Sequence, residues 1–168
     1  LINNFNSKAL NIASLQIYKQ ASKDPSLSGM GTTATLIKIL GSTAYCAHVG
    51  DSRLYLLRNG QLLQKTKDHS LVQEQINAGT ITQGEAKKHN LKNIITRCIG
   101  YREKELVDTF SFVLKKKDVL LLCTDGLHGS LSNTEIVKNI NENVDKKADI
   151  LVQKANDNSG HDNITAIV

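Results

Sequence analysis

Hydrophobic and polar positions along the chain follow two periods, one typical of helices and one typical of strands. Apolar residues three or four positions apart form a stripe from Ser7 to about Ala21, which predicts an amphipathic helix. Capping residues or apolar stripes predict four more helices, at about 71–78, 83–88, 133–140 and 148–155. Short apolar runs predict seven strands, at 35–40, 43–49, 53–57, 61–66, 106–114, 119–123 and 164–168.

The order of these segments predicts an α+β fold in one domain, residues 1–168. Short turns separate the first four strands, among them the hairpin signal Asn59-Gly60, and we expect these strands to form one antiparallel meander. No parallel strand-helix-strand series with a glycine-rich phosphate loop is present. Helices packed on mainly antiparallel strands predict a layered α/β sandwich. The stretch 90–101 has no clean period and is expected to be an exposed excursion.

Three aspartates stand next to the ends of predicted strands. Five apolar residues, Val119 to Cys123, predict a strand buried on both faces that stops at Thr-Asp125-Gly. Asp51 follows the strand that ends at Val49, and Asp162 precedes the last strand. A carboxylate held against a core must be solvated, paired or bound to a metal, because otherwise it would be protonated. If one sheet system brings these strand ends together, three carboxylates converge, and all-oxygen ligation suits Mg²⁺ or Mn²⁺ better than zinc.

Composition narrows the class of protein. No apolar run approaches the roughly 18 residues that span a bilayer, and the first residues do not resemble a secretory signal, so we expect no membrane partner. Cys46, Cys98 and Cys123 are an odd number of cysteines, two of them in strand-like runs, which indicates reduced thiols and a cytoplasmic location. The net charge is +5, but the lysines are scattered and aromatic residues are few, which argues against nucleic-acid binding.

Six short motifs occur in an order that resembles the PP2C (PPM) metal-dependent protein serine/threonine phosphatases, most closely the compact bacterial members. The motifs are Gly29-Met-Gly-Thr-Thr-Ala34, Val49-Gly-Asp-Ser-Arg53, Thr66-Lys-Asp-His-Ser70, Asn93-Ile-Ile-Thr-Arg97, Cys123-Thr-Asp-Gly-Leu127 and Gly160-His-Asp-Asn-Ile-Thr165. The resemblance implies an α-β-β-α sandwich of two mainly antiparallel sheets flanked by helices. It also implies hydrolysis of phosphoserine and phosphothreonine by metal-activated water at a binuclear Mn²⁺ or Mg²⁺ centre, with a third ion in many members.

The resemblance assigns roles to residues by matched motif. Asp125 and Asp162 look like the residues that hold the core metals, and Asp51 looks like a ligand of the weaker third metal. No catalytic side chain is expected beyond the metal ligands. The section 71–101 matches a variable flap that is linked to substrate choice in the family. Three further residues are expected to contact the ligands without binding the metal themselves: Thr124, Asn163 and Thr33.

The family's first motifs do not occur in these 168 residues. They are an Arg, then Asn-Glu-Asp, then Asp-Gly-x-Gly-Gly, and in the family they supply the metal-bridging Asp and the Arg that grips the phosphate. We therefore expect a domain truncated at its N-terminus, whose parent is a phosphatase and which alone binds metal weakly and turns over little or nothing. The expected partners are phosphorylated proteins, the products of a Ser/Thr kinase, and we expect a monomer.

Other interpretations remain open from the residues. A catalytically inactive PP2C-like module could act by regulatory binding. A cysteine phosphatase is disfavoured because Cys46 and Arg53 enclose six residues instead of five, with Asp51 inside the loop. Asp125 and Asp162 could be turn residues, and Asp51 could belong to a tight turn. His69 and His161 are expected to be surface or hydrogen-bonding histidines.

Overall fold

This computed structural model describes residues 2–141, 146–158 and 160–168, and the side chains within those ranges except at 2–5, 87 and 88. The helices in the described residues are α1 Ile2–Lys23, α2 Leu71–Asn77, α3 Gln83–Lys88, α4 Asp125–His128, α5 Asn133–Asn141 and α6 Lys147–Asn158. The strands are β1 Ala34–Leu40, β2 Thr43–Val49, β3 Arg53–Arg58, β4 Gln61–Gln64, β5 Asp108–Val113, β6 Val119–Cys123 and β7 Ala166–Ile167. A short 3-10 helix, Pro25–Leu27, follows α1. The elements fall into two compact units.

The first unit contains residues up to 51 together with 68–114. Its sheet has the strand order β1-β2-β5, and both pairings are antiparallel. Helix α1 packs on β2, so that Leu10 lies in one apolar cluster with Ala47, Val49 and Ile99. Helices α2 and α3 begin at the side-chain caps Ser70 and Thr82, as the capping motifs predict.

The second unit contains residues 52–67 and 115–168. Its sheet has the order β4-β3-β6-β7, again antiparallel throughout. The β3–β4 hairpin turns at Asn59 and Gly60, whose φ angles of 52° and 76° are those of the tight hairpin turn that this dipeptide predicts. Helices α4, α5 and α6 close the core, which includes Leu121, Leu127 and Ile136.

Two antiparallel sheets flanked by helices confirm the predicted α+β fold class. The predicted four-strand meander is wrong. The chain leaves the first sheet after Val49, and β3 pairs with β4 and β6 instead of β2. The segment Gly50-Asp51-Ser52 carries the chain from one sheet to the other, because β3 has its antiparallel partners in β4 and β6. The segment 115–118 likewise joins strands of different sheets, β5 and β6.

Strand β6 has the predicted bounds, but only one of its faces is fully buried. Leu121 and Cys123 are buried, whereas the alternate residues Leu120 and Leu122 are half-buried. The three cysteines are free, as predicted. Within the ranges that the structure covers, no helix combines the length and the apolar character that a membrane crossing requires.

Candidate functional site

Asp125 stands where a buried strand gives way to a short helix. β6 ends at Cys123, and Thr124 extends the pairing by donating its backbone N–H to the carbonyl oxygen of Thr165 over 3.2 Å. Asp125 then opens α4, and one of its carboxylate oxygens accepts the Gly126 N–H at 2.9 Å. The carboxylate is therefore held at the end of a rigid element, as the sequence predicts.

Asp162 lies in the loop that leads into β7. Because Cys123 pairs with Ala166 in an antiparallel register, this loop and Asp125 occur at the same end of the sheet. An oxygen of Asp162 accepts the backbone N–H of Asn163 at 2.7 Å, which orients this carboxylate as the Gly126 N–H orients Asp125.

Thr124 joins the two carboxylate-bearing segments. Its hydroxyl donates to the carbonyl oxygen of Asn163 at 3.1 Å and accepts the backbone N–H of Thr165 at 3.0 Å. Gly126 also approaches this loop so closely that a Cβ atom there would lie 2.5 Å from the Asn163 carbonyl oxygen. The two segments are thus held together by hydrogen bonds and by contact between backbones.

The charge of Asp162 acts on Asp125. Burial, followed by the negative charge of Asp162, raises the pKa of Asp125 above its ordinary value. The N–H groups of Gly126 and of Asp125 itself, and then the positive charge of Arg53, offset part of this effect. The guanidinium of Arg53 is itself hydrogen-bonded to the Tyr55 hydroxyl at 2.8 Å. Without a cation between them, the two carboxylates destabilise each other.

This pair fits a hard divalent cation. Two half-satisfied carboxylates of like charge at one edge are the oxygen donors that Mg²⁺ and Mn²⁺ prefer, and a bound cation would remove their repulsion. Within residues 2–141, 146–158 and 160–168, no group of three or more His, Cys, Asp or Glu side chains is arranged to hold a metal. The described residues therefore bring together two carboxylates, which are fewer than a complete set of ligands for such a cation.

Asp51 belongs to the first unit and lies in the turn after β2. The residue is only 8% exposed. Thr33 lies so close to the neighbouring Gly50 that any side chain at position 50 would collide with it, and its role in supporting a ligand stays a prediction. A site that Asp51 shares with the other two aspartates stays a prediction.

Buried polar residues near Gly50 were not identified as a group from the sequence. His69, which was expected on the surface or in a hydrogen bond, is 4% exposed and hydrogen-bonded, whereas His161 is exposed. Arg97 and Asp108, which contact His69, are distant from it in sequence. The motif Thr66-Lys-Asp-His-Ser70 was the signal in the sequence that could have pointed to His69. Cys46 is fully buried within β2, which excludes a nucleophilic loop of the cysteine-phosphatase kind around it.

The model of the family described as Protein phosphatase 2C matches residues 2–104, more than half of the chain. The chain belongs to the protein phosphatase 2C family. Asp125 and Asp162 lie beyond the matched range, but individual relatives of the family extend the likeness over nearly all of the chain.

Three of these relatives show how far the likeness extends. The serine/threonine phosphatase stp of Listeria welshimeri is 41% identical over 155 residues, which are 91% of this chain and 62% of that protein. The serine/threonine phosphatase structure of S. agalactiae superposes with a TM-score of 0.93 at 36% identity, covering 98% of this chain and 69% of the other. The catalytic domain of the phosphatase PstP, solved in complex with 2 manganese ions, gives 0.81 at 36% identity, covering 91% and 64%. This chain spans 60 to 65% of the length of the Listeria phosphatases that it matches.

Proposed function

We propose that this protein is a metal-dependent protein serine/threonine phosphatase, with Mn²⁺ or Mg²⁺ as its cofactor. The observation that carries the proposal is the pair Asp125 and Asp162, held at one sheet edge in a chain whose relatives are named serine/threonine phosphatases. One solved relative is described with 2 manganese ions, which supports a binuclear centre here as well. Phosphorylated proteins, the products of a Ser/Thr kinase, are the proposed substrates.

The hydrogen bonds around the two carboxylates are consistent with this role as metal ligands. Asp125 and Asp162 would hold the ions, each oriented by the N–H of the following residue. Thr124 fixes the separation of the two segments through its hydroxyl. Two bound divalent ions supply an activated nucleophile and charge neutralisation for phosphoryl transfer to water. Asp125 is partly buried, which would strengthen its interaction with a cation.

Asp51 and the flap complete the proposal. Asp51 is proposed as a ligand of a weaker third ion, supported by Thr33 behind the Gly50 turn. The flap, residues 71–101, is proposed to contribute to substrate choice. Residues 90–95 are all exposed, whereas Ile99 and Gly100 are buried, so the expectation of an exposed excursion over 90–101 is wrong at its end. The free thiols of Cys46, Cys98 and Cys123 support a cytoplasmic location, and we propose a monomer.

We propose that residues 1–168 by themselves turn over little. The motifs that supply the bridging carboxylate and the phosphate-binding Arg in the family are absent from this sequence, and the described residues gather only two carboxylates. Hydrolysis of a phosphothreonine peptide by the full-length protein and by residues 1–168, each with Mn²⁺ and with a chelator, tests this. We expect manganese-dependent turnover in the full-length protein alone, and a loss of at least about 100-fold on Asp125→Ala or Asp162→Ala.

The other outcomes are equally informative. Turnover by residues 1–168 that matches the full-length protein would refute the need for the absent motifs. No manganese-dependent turnover in the full-length protein, with a calorimetric heat of Mn²⁺ binding that neither substitution changes, would instead indicate a catalytically inactive binding module. A matched control is Asp149→Ala, since Asp149 is an exposed carboxylate in the first turn of α6, in the same unit as the pair.

A further inference from the structure

The first unit contains a polar network around the buried side chain of His69 that the proposed metal pair does not use. His69 lies between the turn after β2 and the first residue of β5, and its ring nitrogen Nε2 is 3.1 Å from an oxygen of Asp108. Arg97 donates to the other oxygen of Asp108 at 2.9 Å. His48 packs beside the His69 ring, with the ring centroids 4.9 Å apart, and is fully buried. Three side chains from different parts of the sequence, those of His48, Arg97 and Asp108, therefore lie around the His69 ring.

His69 forms hydrogen bonds with both polar backbone groups of Gly50, the N–H and the carbonyl oxygen. The Gly50 N–H donates to the ring nitrogen Nδ1 of His69 at 3.1 Å, and the backbone N–H of His69 donates to the Gly50 carbonyl oxygen at 2.8 Å. Gly50 has a φ of +112°, which glycine adopts more readily than other residues, and a Cβ atom at this position would collide with Thr33. The next residue in this turn is Asp51.

The hydrogen bonds identify the tautomer of His69. A backbone N–H can only donate, so Nδ1 must carry a lone pair where it meets Gly50. Burial by itself raises the pKa of Asp108, but the hydrogen bonds with His69 and Arg97 and the positive charge of Arg97 outweigh it and keep that pKa below its ordinary value. Asp108 is therefore an ionised acceptor, and Nε2 must carry the proton that it accepts. The Arg97 guanidinium lies 3.2 Å from Nε2, but a protonated Nε2 cannot accept from it. Arg97 therefore donates its hydrogen bond to Asp108.

We propose that His69 is a positioning residue, which Asp108 and Arg97 hold in the Nε2–H tautomer so that its Nδ1 fixes the Gly50 peptide and, with it, the direction of Asp51. The consequence for metal binding rests on the proposed function, since Asp51 is the proposed ligand of a weaker ion. The positioning itself rests only on the contacts around His69. The backbone of His69 also binds a residue near the end of the flap, since the Thr96 N–H donates to the His69 carbonyl oxygen at 2.8 Å.

Two substitutions separate the two ring nitrogens of His69. In His69→Asn the amide oxygen can take the place of Nδ1 and accept from Gly50, whereas the donor to Asp108 is lost. In His69→Gln the amide N–H can take the place of Nε2 and reach Asp108, whereas the acceptor for Gly50 is lost. Each variant replaces the ring by an uncharged amide that keeps one of the two hydrogen-bonding positions, so each is the matched control of the other.

The first test needs no metal and uses residues 1–168. Nitrogen-15 NMR of the wild-type ring is expected to show an unprotonated Nδ1 and a protonated Nε2. Hydrogen exchange of the Gly50 amide is expected to be about tenfold faster in His69→Gln and close to wild type in His69→Asn, because one buried hydrogen bond is lost only in the former. A protonated Nδ1, or equal acceleration in both variants, would overturn the proposal.

Asp108→Asn tests the same claim without changing His69. An amide at 108 can offer its oxygen to Arg97 and its N–H to Nε2, which favours the Nδ1–H tautomer and turns a hydrogen against the Gly50 N–H. We expect faster exchange at Gly50 and a changed ring signal in this variant. An unchanged ring signal together with unchanged exchange would show that Asp108 does not select the tautomer, which would contradict the proposal.

A Mn²⁺ titration then separates this inference from the proposed function. In wild-type protein Mn²⁺ is expected to broaden the Asp51 amide signal, and His69→Gln is expected to need about tenfold more Mn²⁺ than His69→Asn for the same broadening. Absence of broadening at Asp51 in wild-type protein would refute the metal role of Asp51, whatever the exchange data show. Equal Mn²⁺ requirement in the two variants, with broadening present, would refute positioning by His69.

Discussion

Asp125 and Asp162 lie at the same end of one antiparallel sheet, and the charge of Asp162 contributes to raising the pKa of Asp125. Like charges in this position are unfavourable in a protein without metal. In the proposed metal site, a bound cation would remove this repulsion. We therefore predict that metal binding and folding stability are coupled at this edge of the sheet.

The first prediction concerns Asp125→Asn. Removing one charge from the pair should slightly raise the free energy of unfolding without metal, because the repulsion and the cost of burying the carboxylate both disappear. The same substitution should abolish stabilisation by Mn²⁺, which for an intact site reaches about 2.7 kcal/mol at a free concentration one hundred times Kd. Urea unfolding with and without Mn²⁺ measures both effects. A lower stability of the metal-free variant, with the Mn²⁺ effect preserved, would contradict the site.

The second prediction concerns the close approach of two backbones. Gly126→Ala places a Cβ atom 2.5 Å from the Asn163 carbonyl oxygen, so the Asp162 loop must move, and we expect a loss of about 1–3 kcal/mol of stability. The matched control is Gly84→Ala in α3, where a Cβ atom would meet nothing closer than 3.9 Å. That substitution should raise stability by about 0.5–1 kcal/mol, as for other helical glycines. Similar effects of the two changes on the urea midpoint would show that the approach does not constrain the loop.

A third prediction concerns the hydroxyl of Thr124. Thr124→Val keeps the shape of the side chain but removes its hydrogen bonds with Asn163 and Thr165, and should cost about 1 kcal/mol. Thr124→Ser keeps the hydroxyl and should lie within about 0.5 kcal/mol of wild type. Thermal unfolding of the three proteins measures the difference. If the valine and serine variants unfold together, the hydroxyl does not hold the two segments.

The fourth prediction concerns acid stability. Arg58 forms two hydrogen bonds with Asp118, at 2.9 and 2.6 Å, and the Lys115 N–H adds another. The hydrogen bond with Arg58 is the largest influence and lowers the pKa of Asp118 to about 2. Because the folded-state pKa lies below the unfolded value near 3.8, the stabilisation is complete above about pH 4 and is lost as the pH falls toward 2.

The variant Asp118→Asn tests this pH dependence. Its deficit in stability relative to wild type should be constant from pH 7 to about 5 and should shrink between pH 4 and 2, because the wild type loses its ionic partner there and the variant has none to lose. Urea midpoints at several pH values measure the deficit. A deficit that stays the same down to pH 2 would mean that the carboxylate charge is not its source.

Local patterns in the sequence were sufficient for most individual elements. The run Val119 to Cys123 predicted β6 with its correct bounds and the position of Asp125, because an uninterrupted apolar run followed by Thr-Asp-Gly has few other solutions. The dipeptide Asn59-Gly60 predicted the β3–β4 hairpin for a similar reason. The approach of Asp162 to Asp125 followed from the strand ends together with the order of the motifs.

Long-range pairing could not be predicted in the same way. Gly50-Asp51-Ser52 has the composition of a hairpin turn, but whether β2 continues into a neighbouring strand or the chain changes sheets depends on tertiary packing. The network of His69, Arg97 and Asp108 was missed because its members occupy a loop, the end of an irregular segment and the start of a strand. Each residue alone looks like an ordinary polar residue, and only the folded chain shows their common role.

Paramagnetic broadening of backbone amide signals by Mn²⁺ tests the central claim most directly, because it detects even weak binding and locates the ion on the chain. In residues 1–168, small amounts of Mn²⁺ should broaden the signals of Gly126 and Asn163 before those of the other residues in the second unit, and Asp125→Asn or Asp162→Asn should remove this selectivity. Selective broadening of Gly126 and Asn163 that persists in both variants, or broadening that begins elsewhere in that unit, would contradict a metal site formed by these two aspartates.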